Sequence, residues 1–175
     1  MRLTKSETPI TFQILSFIIW IMKTKKFLNL DCVALKNETL DLLVTQSVGP
    51  RIISLRFQGG ENLFAELPDM SFDSIKDETY HIYGGHRLWH APESMPRTYI
   101  PDDQAVEVTP IQGGLLVTQP IEKQTGIEKS IQISLVENKP QAILHHTLTN
   151  RGLWPGVCSL RVRFEWIFQF RFVFQ

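Results

Sequence analysis

Residues 83–94 read YGGHRLWHAPES and bring Tyr83, His86, Arg87, Trp89, His90 and Glu93 within eleven positions. A metal site is the first chemistry such a set suggests, because His86 and His90 are four apart and Glu93 follows three later. That spacing aligns two ligands only on a helix, and Gly84 and Gly85 before it and Pro92 after it oppose one. No third ligand of known placement accompanies the pair, so no metal is expected. Nucleophilic catalysis has less support: Ser94 lacks a GxSxG context, and neither Cys32 nor Cys158 has a neighbouring histidine. A polyhydroxylated neutral ligand fits the residue types best. Sugars offer C–H faces that stack on Trp or Tyr and hydroxyls that both donate and accept, which Trp89, Tyr83, Arg87, His86 and Glu93 can meet. The glycine pair would let backbone approach such a ligand closely. The competing reading makes Trp89 a core residue and His86 and His90 ordinary surface histidines.

The segments that must position this motif have the signals of β-structure. Residues 27–35, 39–46 and 50–58 are rich in Leu, Val, Ile and Phe and are separated by Asn37-Glu38 and Gly49-Pro50, with Gly59-Gly60 closing the third. Strands are predicted again at 104–111, 114–121, 127–136 and 141–150, the last two as a hairpin. Period-2 alternation puts Ile127, Ile131, Ile133 and Leu135 on one face, and Ala142, Leu144, His146 and Leu148 on one face of the next strand. Between the two groups, 66–103 carries Pro68, Pro92, Pro96 and Pro101 and reads as one long connection, where binding residues are commonly carried.

At 175 residues, 43% hydrophobic and 21% charged, the chain has the length and composition of a soluble globular domain. Its zero net charge hides an acidic body: residues 27–150 carry nine Lys/Arg against sixteen Asp/Glu. Nucleic-acid binding needs a clustered basic face, so that partner is set aside. Two distant cysteines fit free thiols in a reducing cytosol, and the expected location is cytoplasmic. The apolar run ILSFIIWIM at 14–22 is too short to span a bilayer, so stable membrane insertion is not expected. Lys23, Lys25 and Lys26 stand where a signal peptide needs small residues. Residues 1–26 are therefore expected to lie outside the domain, with Met22 as the natural start. At the other end, RVRFEWIFQFRFVFQ at 161–175 alternates cleanly, and 156–175 is expected to be an atypical Phe-rich tail that either pairs with a partner strand or promotes self-association.

VGPRIISLRFQGGENLF at 48–64, YGGHRLWHAPE at 83–93 and HHTLTN at 145–150, in that order, resemble the galactose mutarotase-like (aldose 1-epimerase-like) proteins, particularly an uncharacterised bacterial branch. The resemblance covers about residues 27–155 and implies a mainly β fold, an antiparallel supersandwich, here incomplete at the C-terminus. It also implies a monosaccharide ligand, no cofactor, and general acid and base chemistry by histidines and a carboxylate at the anomeric centre. On this chain it implies Arg87 and His86 as the ligand-contacting residues of the middle motif, with His86 the expected catalytic imidazole; together with the residue chemistry, the expected ligand contacts are Arg87, Trp89, Tyr83, His90, Glu93 and Arg51. Mutarotases proper read His-Gly-Gly at the binding turn, whereas this chain reads Tyr83-Gly84-Gly85, which displaces the imidazole to His86 or His81. The family pattern stops near Pro155, before the strands that bring its second histidine and its catalytic carboxylate, and inner-face residues such as Leu144 and Leu148 are expected to be short of partners. The resulting expectation is sugar binding without turnover. The alternatives are an active epimerase and a non-catalytic β-sandwich interaction domain.

Overall fold

The computed structural model describes residues 23–73, 79–95, 97–152 and 159–161; of Lys23, His90, Ala91 and Ser159–Arg161 it describes the backbone. The strands among them are β1 (Lys23–Phe27), β2 (Leu30–Lys36), β3 (Leu40–Thr45), β4 (Arg51–Phe57), β5 (Glu66–Asp73), β6 (Thr79–Gly84), β7 (His86–Arg87), β8 (Trp89–Ala91), β9 (Glu107–Ile111), β10 (Gly114–Thr118), β11 (Ile127–Leu135), β12 (Ala142–Asn150) and β13 (Ser159–Arg161). A 3-10 turn at Arg97–Tyr99 is the one helical element among the described residues. Five strands form one antiparallel sheet in the order β1-β2-β3-β4-β7, and four form a second in the order β12-β11-β10-β9. Two ribbons, β5 with β6 and β8 with β13, complete the pairing. The described chain is thus mainly β and antiparallel, consistent with a β-sandwich.

The core follows from the two-residue period of the strands. Val33, Leu35, Leu42, Val44, Ile52 and Leu55 of the first sheet pack against Leu115, Val117, Ile131, Ile133, Ala142 and Leu144 of the second. A register shift at Leu43/Val44 lets both Ile52 and Leu55 face this core although they are three apart. The opposite face of the first sheet buries Cys32, Ala34, Leu43 and Ile53 beneath Phe27, Leu28, Leu30 and Tyr83. Burial pushes the Cys32 thiol up to about 11, as expected of an inert thiol. Leu144 is 2% exposed within the inter-sheet core and Leu148 packs against that core. The expectation that these two lack partners is corrected: the first sheet closes over them.

Two further expectations change. The segment 66–103 is not one connection, since it holds four strands and the 3-10 turn. Pro68 misled the sequence reading because it falls in an irregularity between Leu67 and Ser71, where the β5–β6 register shifts and a missing N–H costs no ladder bond. The pairing also begins before Phe27: Lys23–Phe27 lies against Ala34 to Leu30, and Leu28 (φ 48°) and Asn29 (φ 63°) make the tight turn of that hairpin. Cys158 and the tail residues 162–175 lie outside the described residues, as do residues 1–22.

Asn37 links the sheets at one end. Its Oδ1 accepts from the backbone N–H groups of Thr39 (2.9 Å) and Leu40 (2.7 Å), closing the β2–β3 turn. Its Nδ2 donates to the carbonyls of Val136 (2.7 Å) and Lys139 (3.1 Å) in the β11–β12 turn of the other sheet. Among the described residues no helix is long and apolar enough to cross a membrane.

Candidate functional site

Tyr83, Gly84 and Gly85 all have positive φ (57°, 88° and 74°), which turns the chain sharply from β6 into β7. A Cβ on Gly84 would lie 2.0 Å from the Ala65 carbonyl oxygen, and one on Gly85 2.4 Å from that of Ile52. The glycine pair is therefore required by close packing against the protein's own backbone, which corrects the reading that reserved it for a ligand.

Beyond this turn the motif alternates. His86 lies opposite Ile52 and points into the sandwich, and Leu88 joins the inter-sheet core. Arg87 lies opposite Arg51, on the other face, and its guanidinium stacks on Trp89 at 4.8 Å. Extended backbone thus divides HRLW between two environments: His86 and Leu88 inward, Arg87 and Trp89 outward.

On the inward side, His86 meets His146 of β12, with 2.8 Å between the two Nε2 atoms and each residue 4% exposed. Such a bond needs one ring to donate Nε2–H and the other to accept with its proton on Nδ1. Burial, joined by the neighbouring His146 and Arg51, pulls His86 down to about 3; burial and His145 pull His146 down to about 4. Both imidazoles are neutral near pH 7, and the bond bridges the two sheets. The mutarotase-like resemblance led to the expectation of a second histidine from beyond the LTN segment, whereas this one comes from within HHTLTN. Period-2 alternation had already placed His146 on the Leu144 face, and a polar residue in an apolar stripe was the available signal.

On the outward side, Asp102 Oδ2 lies 2.9 Å from Arg51 Nη2 and 3.4 Å from Arg87 Nη2. Like charges directly opposite on paired strands repel, so this carboxylate is what allows two arginines to face each other. Burial pushes Asp102 upward, but Arg51, Arg87 and Lys129 outweigh it and hold the carboxyl below its ordinary range. Arg51 also donates to the carbonyls of Ile82 and Gly84, and its side chain is 0% exposed. The structure therefore gives Arg51 the work of holding the YGG turn. Arg87 keeps 16% exposure over its whole side chain, lies over Tyr80 at 5.2 Å as well as Trp89, and has Nε and Nη2 buried without a hydrogen-bond partner among the described residues.

An aromatic group surrounds this arginine. Trp89 is half-buried, donates from Nε1 to the Thr98 carbonyl and packs edge-on against Tyr99 at 5.5 Å. Tyr80 stacks on Phe72 at 4.9 Å and meets Tyr99 at 5.9 Å. The Tyr99 hydroxyl donates to the exposed Glu93. Tyr83 sits apart, between His81 and the Arg51 guanidinium. The backbone of His90 pairs with Leu160, at the start of the expected Phe-rich tail; its side chain lies outside the described residues. The structure thus brings together Arg87, Trp89 and, through Tyr99, Glu93, and separates His86 from them.

Sequence reasoning missed Asp102, Tyr80, Tyr99 and a second buried ion pair. Lys129 Nζ lies 2.5 Å from Glu122 Oε1, with both side chains 2% exposed. Gln119 Nε2 (3.3 Å) and Thr125 Oγ1 (2.6 Å) also donate to the Glu122 carboxylate. Lys129 falls between Ile127 and Ile131 on an inward face, the same kind of signal as His146. Among the described residues no three His, Cys, Asp or Glu side chains gather into a metal-sized cluster. No protein-family model matches the chain, and neither the curated proteins nor the solved structures contain a match to it.

Proposed function

We propose that the chain is a mutarotase-like, monosaccharide-binding β-sandwich protein that binds sugar without turning it over. The observation that carries this reading is the Arg87 guanidinium, largely buried with its side chain 16% exposed, stacked between Trp89 and Tyr80 beside the Tyr99–Glu93 pair. Aromatic faces for C–H groups, a planar donor for hydroxyls and a carboxylate rim are the chemistry a pyranose needs. The absence of turnover is supported by the separation of His86: it is 4% exposed, bonded to His146 and on the sheet face opposite Arg87. A general base must reach the anomeric hydroxyl directly or through one water, and here a sheet intervenes.

Thermal shift and titration calorimetry with a panel of aldoses test the reading. Sugars should raise the melting temperature of the chain, Arg87→Ala should abolish that rise, and mutarotation rates should equal the uncatalysed background. Normal sugar binding by Arg87→Ala removes the site assignment, and measurable mutarotation restores the epimerase alternative.

A further inference from the structure

The site has a charge that a neutral sugar leaves unanswered. Arg51 and Arg87 face each other across β4 and β7 and share one carboxylate, Asp102, through a single oxygen. Arg51 takes the shorter contact, at 2.9 Å, and spends its remaining donors on the Ile82 and Gly84 carbonyls. Lys129, whose charge also reaches Asp102, is already matched by Glu122 at 2.5 Å. Among these five inner charges, apart from the exposed Glu93 of the rim, three are cations and two are anions, and the surplus falls on Arg87, the most exposed of the three cations. Its side chain is 16% exposed, against 0% for Arg51 and 2% for Lys129. Glu93 is at the rim, where its carboxylate accepts from the Tyr99 hydroxyl. Arg87 is held by two aromatic faces and an ion pair lacking hydrogen-bond alignment, and its Nε and Nη2 are buried with no hydrogen-bond partner among the described residues. A guanidinium fixed in this way is a preorganised seat for an oxyanion.

Resting on the sugar-binding reading, we propose that the ligand is an acidic monosaccharide whose phosphate or carboxylate sits on Arg87 while its ring stacks on the Trp89 and Tyr99 side. The chain's acidic body makes this cationic point stand out, since an anionic ligand is repelled elsewhere and attracted here.

The test is calorimetry of the full chain with glucose, glucose 6-phosphate, glucuronate and inorganic phosphate, each at low and high ionic strength. At least one anionic sugar should bind about tenfold or more tighter than glucose, because a charge-assisted pair is roughly twice as strong as a neutral one. Glucose 6-phosphate and glucuronate separate phosphate from carboxylate. The preference should shrink with added salt and disappear in Arg87→Gln. Equal binding of glucose and both acids overturns the anion seat and leaves the sugar reading standing. Phosphate binding without any sugar binding does the reverse, and no binding of any probe removes both. If Arg87→Gln fails to fold, the salt dependence and ligand ranking of the unaltered chain decide the matter.

Discussion

The imidazole pair is the residue whose surroundings change its chemistry most. A histidine whose pKa is depressed in the folded state stays neutral there while the unfolded chain takes up a proton. Stability is therefore full above the ordinary value of 6.5 and is lost as pH falls toward about 4 and about 3. Asp102, held low, adds loss of the same sign only below its own ordinary value of 3.8. Denaturant unfolding should show stability dropping steadily from neutral pH to about pH 4, and His146→Gln should flatten that limb; an unchanged profile argues against a buried neutral pair. The positive charge of Arg51, acting on His86 from the neighbouring strand, and His145, beside His146, both push in this direction. Sequence could rank His86 as chemically interesting but could not find its partner, because the two lie sixty residues apart and meet only when two sheets close. The same holds for Asp102, which has meaning only between Arg51 and Arg87.

At the level of elements, the turn joining β6 to β7 decides which side of the sheet each motif residue takes. Gly84→Ala combines a φ of 88° with a Cβ 2.0 Å from the Ala65 carbonyl oxygen. It should cost above about 3 kcal/mol, since backbone strain alone is worth roughly 1–3. Gly59→Ala, at φ 73° with no atom within 4 Å, meets only the conformational penalty and should cost about 1–2 kcal/mol. Equal melting-temperature losses in the two variants contradict the packing account of the glycine pair. Strands β2, β3, β4 and β9 to β12 were legible because alternating Leu, Ile and Val runs are bounded by turn residues. Strands β5 to β8 were not. Pro68 sits in a register shift, the β5 side chains Asp69 to Asp73 are exposed, and β7 and β8 are two and three residues long, too short for a period to appear.

For the whole molecule, the inter-sheet core dominates stability. Leu144→Ala removes a side chain enclosed by both sheets and should cost about 2–5 kcal/mol, whereas Ile121→Ser, at 47% exposure, should stay within about 0.5 kcal/mol. Unfolding free energies of the two variants check this, and similar values would mean that the second sheet is not covered. Aliphatic packing alone is non-directional and would tolerate sliding or swivelling of one sheet over the other. The amide of Asn37 grips the far hairpin turn, and His86 grips His146, four residues into β12 from its first residue. One such rivet leaves a pivot; two leave none. The sandwich is therefore a rigid frame, and any movement that the proposed ligand requires is confined to what lies outside its two sheets: the β5–β6 ribbon with Phe72 and the buried Tyr80, and the stretch carrying Glu93 and Tyr99.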